Sequence, residues 1–191
     1  KWLRKGKYSE KLFNLKSIIL YPPYLDKDLK SDGAKINYLL FFCLENTDKQ
    51  IVIFSTRSDT FLIPLSLRLS EKDVNFGIIV GKTDHKKRIE NIRDFQNFKI
   101  KILLCNIQSA GFGLELSSAD TLIFADRCYS PADNEQAEAR FIPTKDDKKS
   151  NVKLIIDLIC KGTIDEKIIK LLEKKKDITS VLNTEPNLIF D

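Results

Sequence analysis

The chain has 191 residues, 42% of them hydrophobic and 31% charged, with a net charge of +5 at pH 7. That is enough apolar material for one domain, or one domain plus an appendage, and its mild basic bias permits a polyanionic partner without requiring one. No run reaches the ~18 apolar residues of a membrane span, no secretory signal opens the chain, and four dispersed cysteines with one histidine exclude a zinc site.

The elements come in a regular order. Residues 1–32 are basic and break at Pro22-Pro23, as a lead-in helix and turn. Residues 34–45 (AKINYLLFFCLE) form the first helix of the unit that follows. Short apolar runs then predict strands at Ile51–Phe54, Gly77–Val80, Ile102–Cys105, Thr121–Ala125 and Val152–Ile159. Each is apolar on both faces, as a parallel sheet covered by helices requires. Between them, Leu62, Leu65 and Leu67–Leu69, then Ile89, Ile92 and Phe95, recur at helical spacing, as do Ile164, Ile168, Leu171 and Leu172 downstream. The alternation predicts an α/β doubly wound parallel sheet with ligand at the carboxyl ends of its strands. The domain expected spans 33–183, with 184–191 as a tail. Lys145–Lys149 (KDDKK) reads as a solvated loop, and Cys43, Cys105, Cys128 and Cys160 as reduced thiols. A chain that starts with Lys and holds no Met is expected to be a fragment, or to lack modified methionines.

Gly81-Lys82-Thr83 has the ending of a phosphate loop, but only three residues separate Gly77 from Gly81, and they are Ile, Ile and Val. The loop needs four residues and exposed backbone N–H groups, so this run is a buried strand. The richer segment is 106–140. A strand leads into Ser109-Ala110-Gly111-Phe112-Gly113, where G-x-G serves equally as a structural turn or as a close approach to a ligand. The next strand ends at Asp126, on the ligand edge. After Pro131, a short helix puts Gln136 and Arg140 four apart on one face. Arg140 there either reaches a phosphate or makes a surface ion pair.

In sequence order these pieces resemble motifs five and six of superfamily-two helicases in the Swi/Snf version. The matching residues are Ser109-Ala110-Gly111-Phe112-Gly113-Leu114-Glu115-Leu116, Ala119 to Asp126, Tyr129-Ser130-Pro131 and Gln136-Ala137-Glu138-Ala139-Arg140. Ile51–Ser55 is similar to the family's fourth motif. Gly81-Lys82-Thr83, with Arg88 and Phe95, resembles its G-x-T…R…F element, with Thr83 expected as helix N-cap. Gly162–Ile168 resembles its closing helix. The resemblance implies a RecA-like second lobe, a three-layer sandwich, of an intracellular ATP-dependent translocase on double-stranded DNA. Such a lobe is nuclear in a eukaryote and cytoplasmic in a prokaryote or phage-infected cell. ATP with Mg²⁺ would be held mainly by a first lobe not in this chain, so the fragment alone would be inactive.

The resemblance also implies roles. Arg140 would be an arginine finger with Gln136 beside it. Gly111, Gly113, Ser109 and Asp126 would line the nucleotide side, and Ser55, Thr56, Gly81, Thr83 and Arg88 would touch one DNA strand. No residue is assigned to a metal. The chain departs from the family where Pro143 replaces a second arginine and Glu115 an asparagine. Two other readings stay open: a DNA-clamping lobe with no part in hydrolysis, and an unrelated doubly wound domain with a small-molecule site.

Overall fold

The computed structural model describes residues 5–24, 26–109, 114–142 and 152–190. Helix α1 (Lys5–Leu20) and a 3₁₀ turn at Pro22–Tyr24 lead to α2 (Ala34–Glu45). The rest alternates: β1 (Ile51–Ser55), a π-helical stretch running into α3 (Ile63–Ser70), β2 (Phe76–Ile79), α4 (His85–Gln96), β3 (Ile102–Asn106), β4 (Thr121–Phe124), α5 (Pro131–Ala139), β5 (Leu154–Asp157), α6 (Ile164–Glu173), α7 (Ile178–Thr184) and α8 (Asn187–Phe190). The five strands pair in parallel in the order β2-β3-β1-β4-β5. The doubly wound parallel sheet read from the sequence is therefore the fold.

Burial explains why the strands are apolar on both faces. β1, β3 and β4 are buried at every position. Val52, Phe54, Leu103, Leu122 and Phe124 pack on one side with Phe95 of α4 and Ala137 of α5. Ile51, Ile53, Leu104 and Ile123 pack on the other with α2 and α3. Connections that run in opposite directions along the sheet put their helices on opposite faces, as one shared crossover hand demands. β5 (four residues) is shorter than the eight-residue run 152–159 suggests; it is an edge strand paired only with β4.

A third apolar cluster joins α1 to α6, α7 and α8 through Leu12, Ile168, Leu171, Ile178, Val181 and Ile189. The lead-in helix and the tail are thus packed together beside the sheet. Near its other edge, β2 lies close to α4. A Cβ at Gly77 would sit 2.7 Å from Ile100 Cδ1 and 3.2 Å from Asn91 Cβ. We expect Gly77→Ala to lose roughly 1–3 kcal/mol by overpacking, read as a lowered Tm with an unchanged far-UV spectrum.

Candidate functional site

β1 feeds leftward to β2, whereas β4, its neighbour, feeds rightward to β5. The two connections diverge, and a crevice opens at the carboxyl ends where they part. Asp126 stands at that point, two residues past β4 and 5% exposed. Its carboxylate accepts from Ser55 Oγ at 2.5 Å, from Thr56 N at 3.0 Å and from the Thr56 hydroxyl. Lys16 of α1 completes the set, its Nζ 3.3 Å from Asp126 Oδ2 and 3.3 Å from the carbonyl of Arg127. Burial by itself would raise this carboxyl. Lys16, the two hydroxyls and Lys35 outweigh it and hold Asp126 below the ordinary aspartate value. Lys35, also buried, pairs with Asp165 at 2.6 Å and donates to the carbonyl of Ala125 at 2.6 Å. Two lysines from the leading helices therefore grip the chain where it leaves β4.

Ser55 needs a correction. It was expected to offer its hydroxyl to DNA, but it is wholly buried and that hydroxyl is committed to Asp126. The reason is topological: β1 is the central strand, flanked by β3 and β4. Thr56, one residue further, is half-buried and faces the crevice. The N-cap of α4 expected at Thr83 falls one residue later. The Thr83 hydroxyl accepts from Val80 N at 2.9 Å and closes a turn, while Asp84 is the N-cap of α4, accepting from Lys86 N at 3.0 Å. Gly81 is exposed, and a Cβ there would lie 3.8 Å from Ser109 Oγ. Ser109 thus sits with the residues assigned to DNA rather than apart from them, its N–H held by Asn106 Oδ1 at 3.3 Å. Arg88 is half-buried on α4. Gly111 and Gly113 lie outside the described residues.

Gln136 and Arg140 are not brought to this rim. α5 begins there, with Ser130 capping Asp133 N at 3.3 Å and Pro131 at its first turn, then runs back along the sheet. Nine residues at ~1.5 Å each carry its end roughly 13 Å away. There the Arg140 carbonyl accepts from Leu116 N at 3.0 Å, close to the start of β4. Asp126, grouped with Arg140 on the sequence, belongs by position with Thr56. α5 is pinned by Arg127, which grips Asp157 at 2.5 and 2.7 Å and reaches Glu138. Asn134 bonds both the N–H and the carbonyl of Cys128, at 2.8 and 2.9 Å. Among the described residues no three carboxylate, His or Cys side chains converge as a metal cage. The cysteines are free, and burial pushes the Cys43 thiol up to about 12.

The crevice itself is a cavity of about 330 Å³ lined by Thr56, Arg57, Gln108, Tyr129, Ser130 and Thr179, among others. Sequence reasoning missed Arg57 and Lys16. Arg57 directly follows the Ser-Thr pair. Lys16 falls between Leu12 and Leu20 in a stripe of period four, where a cation is out of place unless it has a buried partner.

The family model for the helicase conserved C-terminal domain matches residues 34–142, more than half of the chain. The chain belongs to the helicase C-terminal domain family. Within that family this helicase lobe is of the Swi/Snf type. It is 29% identical over 159 residues to the ATP-dependent helicase fft1 of Schizosaccharomyces pombe, covering 83% of the lobe and 16% of that protein. It is 30% identical over 164 residues to the human SWI/SNF-related matrix-associated actin-dependent regulator of chromatin subfamily A containing DEAD/H box 1, covering 82% and 16%. Among solved structures, the Sulfolobus solfataricus SWI2/SNF2 ATPase core in complex with dsDNA superposes with a TM-score of 0.75 at 27% identity, over 97% of this lobe and 42% of that chain. The lobe spans about a sixth of the length of these curated relatives. α1 and α6 to α8 lie outside the matched residues, as does β5. No described helix is long and apolar enough to cross a membrane.

Proposed function

We propose that this lobe is the second half of a DNA-dependent ATPase motor, completing an inter-lobe ATP site with Arg140 and Gln136 and following the backbone of double-stranded DNA along its carboxyl-end rim. One observation carries the reading: the candidate residues divide between two places. Thr56, Gly81, Thr83 and Ser109 gather over the ends of β1, β2 and β3, whereas Arg140 sits a helix length away, beside Leu116, with Gln136 one turn before it on α5. Two separate ligands suit that division, and the rim's hydroxyls and N–H groups suit phosphate contacts that position without reading sequence.

The first lobe of the parent protein is the partner this assigns, and Mg²⁺ is assigned to that lobe. Bound ATP supplies the phosphoanhydride whose cleavage drives such motors. Arg140 contributes a permanently charged planar fork matched to phosphate oxygens, and Gln136, exposed one turn earlier on α5, contributes an orienting amide. Arg127 sets the angle of α5, and hence where Arg140 is presented.

The test is double-stranded DNA binding by the full-length protein as salt is raised. The slope of log affinity against log salt is about −0.9 per phosphate neutralised, so three contacts give about a 40-fold loss between 50 and 200 mM. Affinity indifferent to salt, or ATP hydrolysis unaffected by DNA, overturns the proposal.

A further inference from the structure

Arg57 is the first residue past the Ser55-Thr56 pair, and its backbone N–H donates to Ser55 Oγ at 3.0 Å. The guanidinium lies over the Phe13 ring of α1, 4.2 Å from its centroid, and one terminal nitrogen is 3.4 Å from the Tyr129 hydroxyl. Its Nε is buried and makes no hydrogen bond. Asp133 and Asp177 line the same crevice, yet among the described residues no carboxylate comes within ion-pair range of Arg57. Each has other work. Asp177 caps α7 through Ser180 N at 2.8 Å, and Asp133 faces Cys128 Sγ at 3.4 Å. Arg68 and Arg127 behave differently, each gripping a carboxylate with two nitrogens.

A half-buried guanidinium placed over an aromatic ring, short of acceptors and open on a polar crevice, is set up for an oxyanion from outside. Leaving a donor unmatched in a desolvated site has a cost, and the contact with the ring reduces the freedom lost when it binds. The crevice is continuous with Thr56 at the rim and remote from Arg140.

We propose that Arg57 binds a phosphate of the DNA backbone, with Phe13 of α1 as the residue that positions it. This rests on the DNA-tracking reading above and adds to it a cation, and a helix outside the matched helicase region. Phosphate oxygens of ATP share the same chemistry, and the experiment separates the two sources.

The full-length protein, Arg57→Gln, Arg57→Lys and Phe13→Leu are compared for duplex DNA affinity across 50–300 mM salt, for the KM of ATP, and for Tm. Losing one phosphate contact weakens binding and flattens the salt slope by about 1. Arg57→Gln is expected to bind DNA about tenfold more weakly at low salt with that flattening, and with the KM of ATP unchanged. Arg57→Lys keeps the slope, since it keeps the charge. Phe13→Leu weakens binding without altering the slope. An unchanged slope in Arg57→Gln, at wild-type Tm, overturns the inference, and a raised KM for ATP with DNA affinity intact moves the contact to the nucleotide and overturns it too. If the wild-type protein shows no salt-dependent DNA binding, the motor reading fails first, which separates the two failures.

Discussion

Arg140→Ala in the full-length protein is expected to lower DNA-stimulated ATP turnover by about 10³-fold or more, the scale set by arginine fingers in related phosphoryl transfer. DNA affinity should stay within a factor of two or so, because Arg140 stands roughly 13 Å from the rim. Arg140→Lys should rescue little, since an ammonium lacks the planar fork that bonds two phosphate oxygens together. Steady-state hydrolysis with saturating duplex DNA gives the answer directly. Turnover unchanged in Arg140→Ala leaves the lobe as a DNA clamp and removes it from the chemistry.

The second large effect is on stability. Lys16→Met leaves Asp126 charged in a site where the two side chains are 2% and 1% exposed. Breaking such a pair from one side costs about 3–5 kcal/mol, measurable by urea unfolding at pH 7. The double variant Lys16→Met/Asp126→Asn removes both charges and should recover much of the loss. The pH dependence follows from the shift. In the wild type Asp126 is held below its unfolded value, so its stabilisation is present above about pH 4 and is lost as pH falls through the folded value. In Lys16→Met the same carboxyl is easier to protonate. The gap between variant and wild type is therefore widest at neutral pH and narrows as pH falls and the variant's carboxyl takes up its proton before the wild type's does. A gap constant from pH 7 to pH 3 would remove Lys16 from its assigned role.

Periodicity carried most of the architecture. Runs such as IVIF and ILLC, apolar at every position, fit only strands covered on both faces, and they formed β1 and β3 where expected. AKINYLLFFCLE became α2 with the expected ends. The order of the motif-like segments was enough to identify the helicase family. These are local or one-dimensional properties: alternation, spacing and sequence order survive in a string of letters.

Which side chains meet is a different kind of property. Ser55 and Thr56 are adjacent in sequence, yet one is sealed between β3 and β4 while the other faces the crevice, because strand order decides what lies beside β1. Asp126 and Arg140 are fourteen positions apart in one motif-rich segment, yet they stand at opposite ends of α5, because α5 runs back from the rim. Lys16 and Asp126 are 110 residues apart, and only the packing of α1 against the end of β4 makes them a pair. Residue type and spacing alone settled the sheet, its helices and the family. Only the tertiary structure decided which polar groups were spent inside the protein and which remained to meet a ligand, because burial and partner distance arise when remote segments pack together.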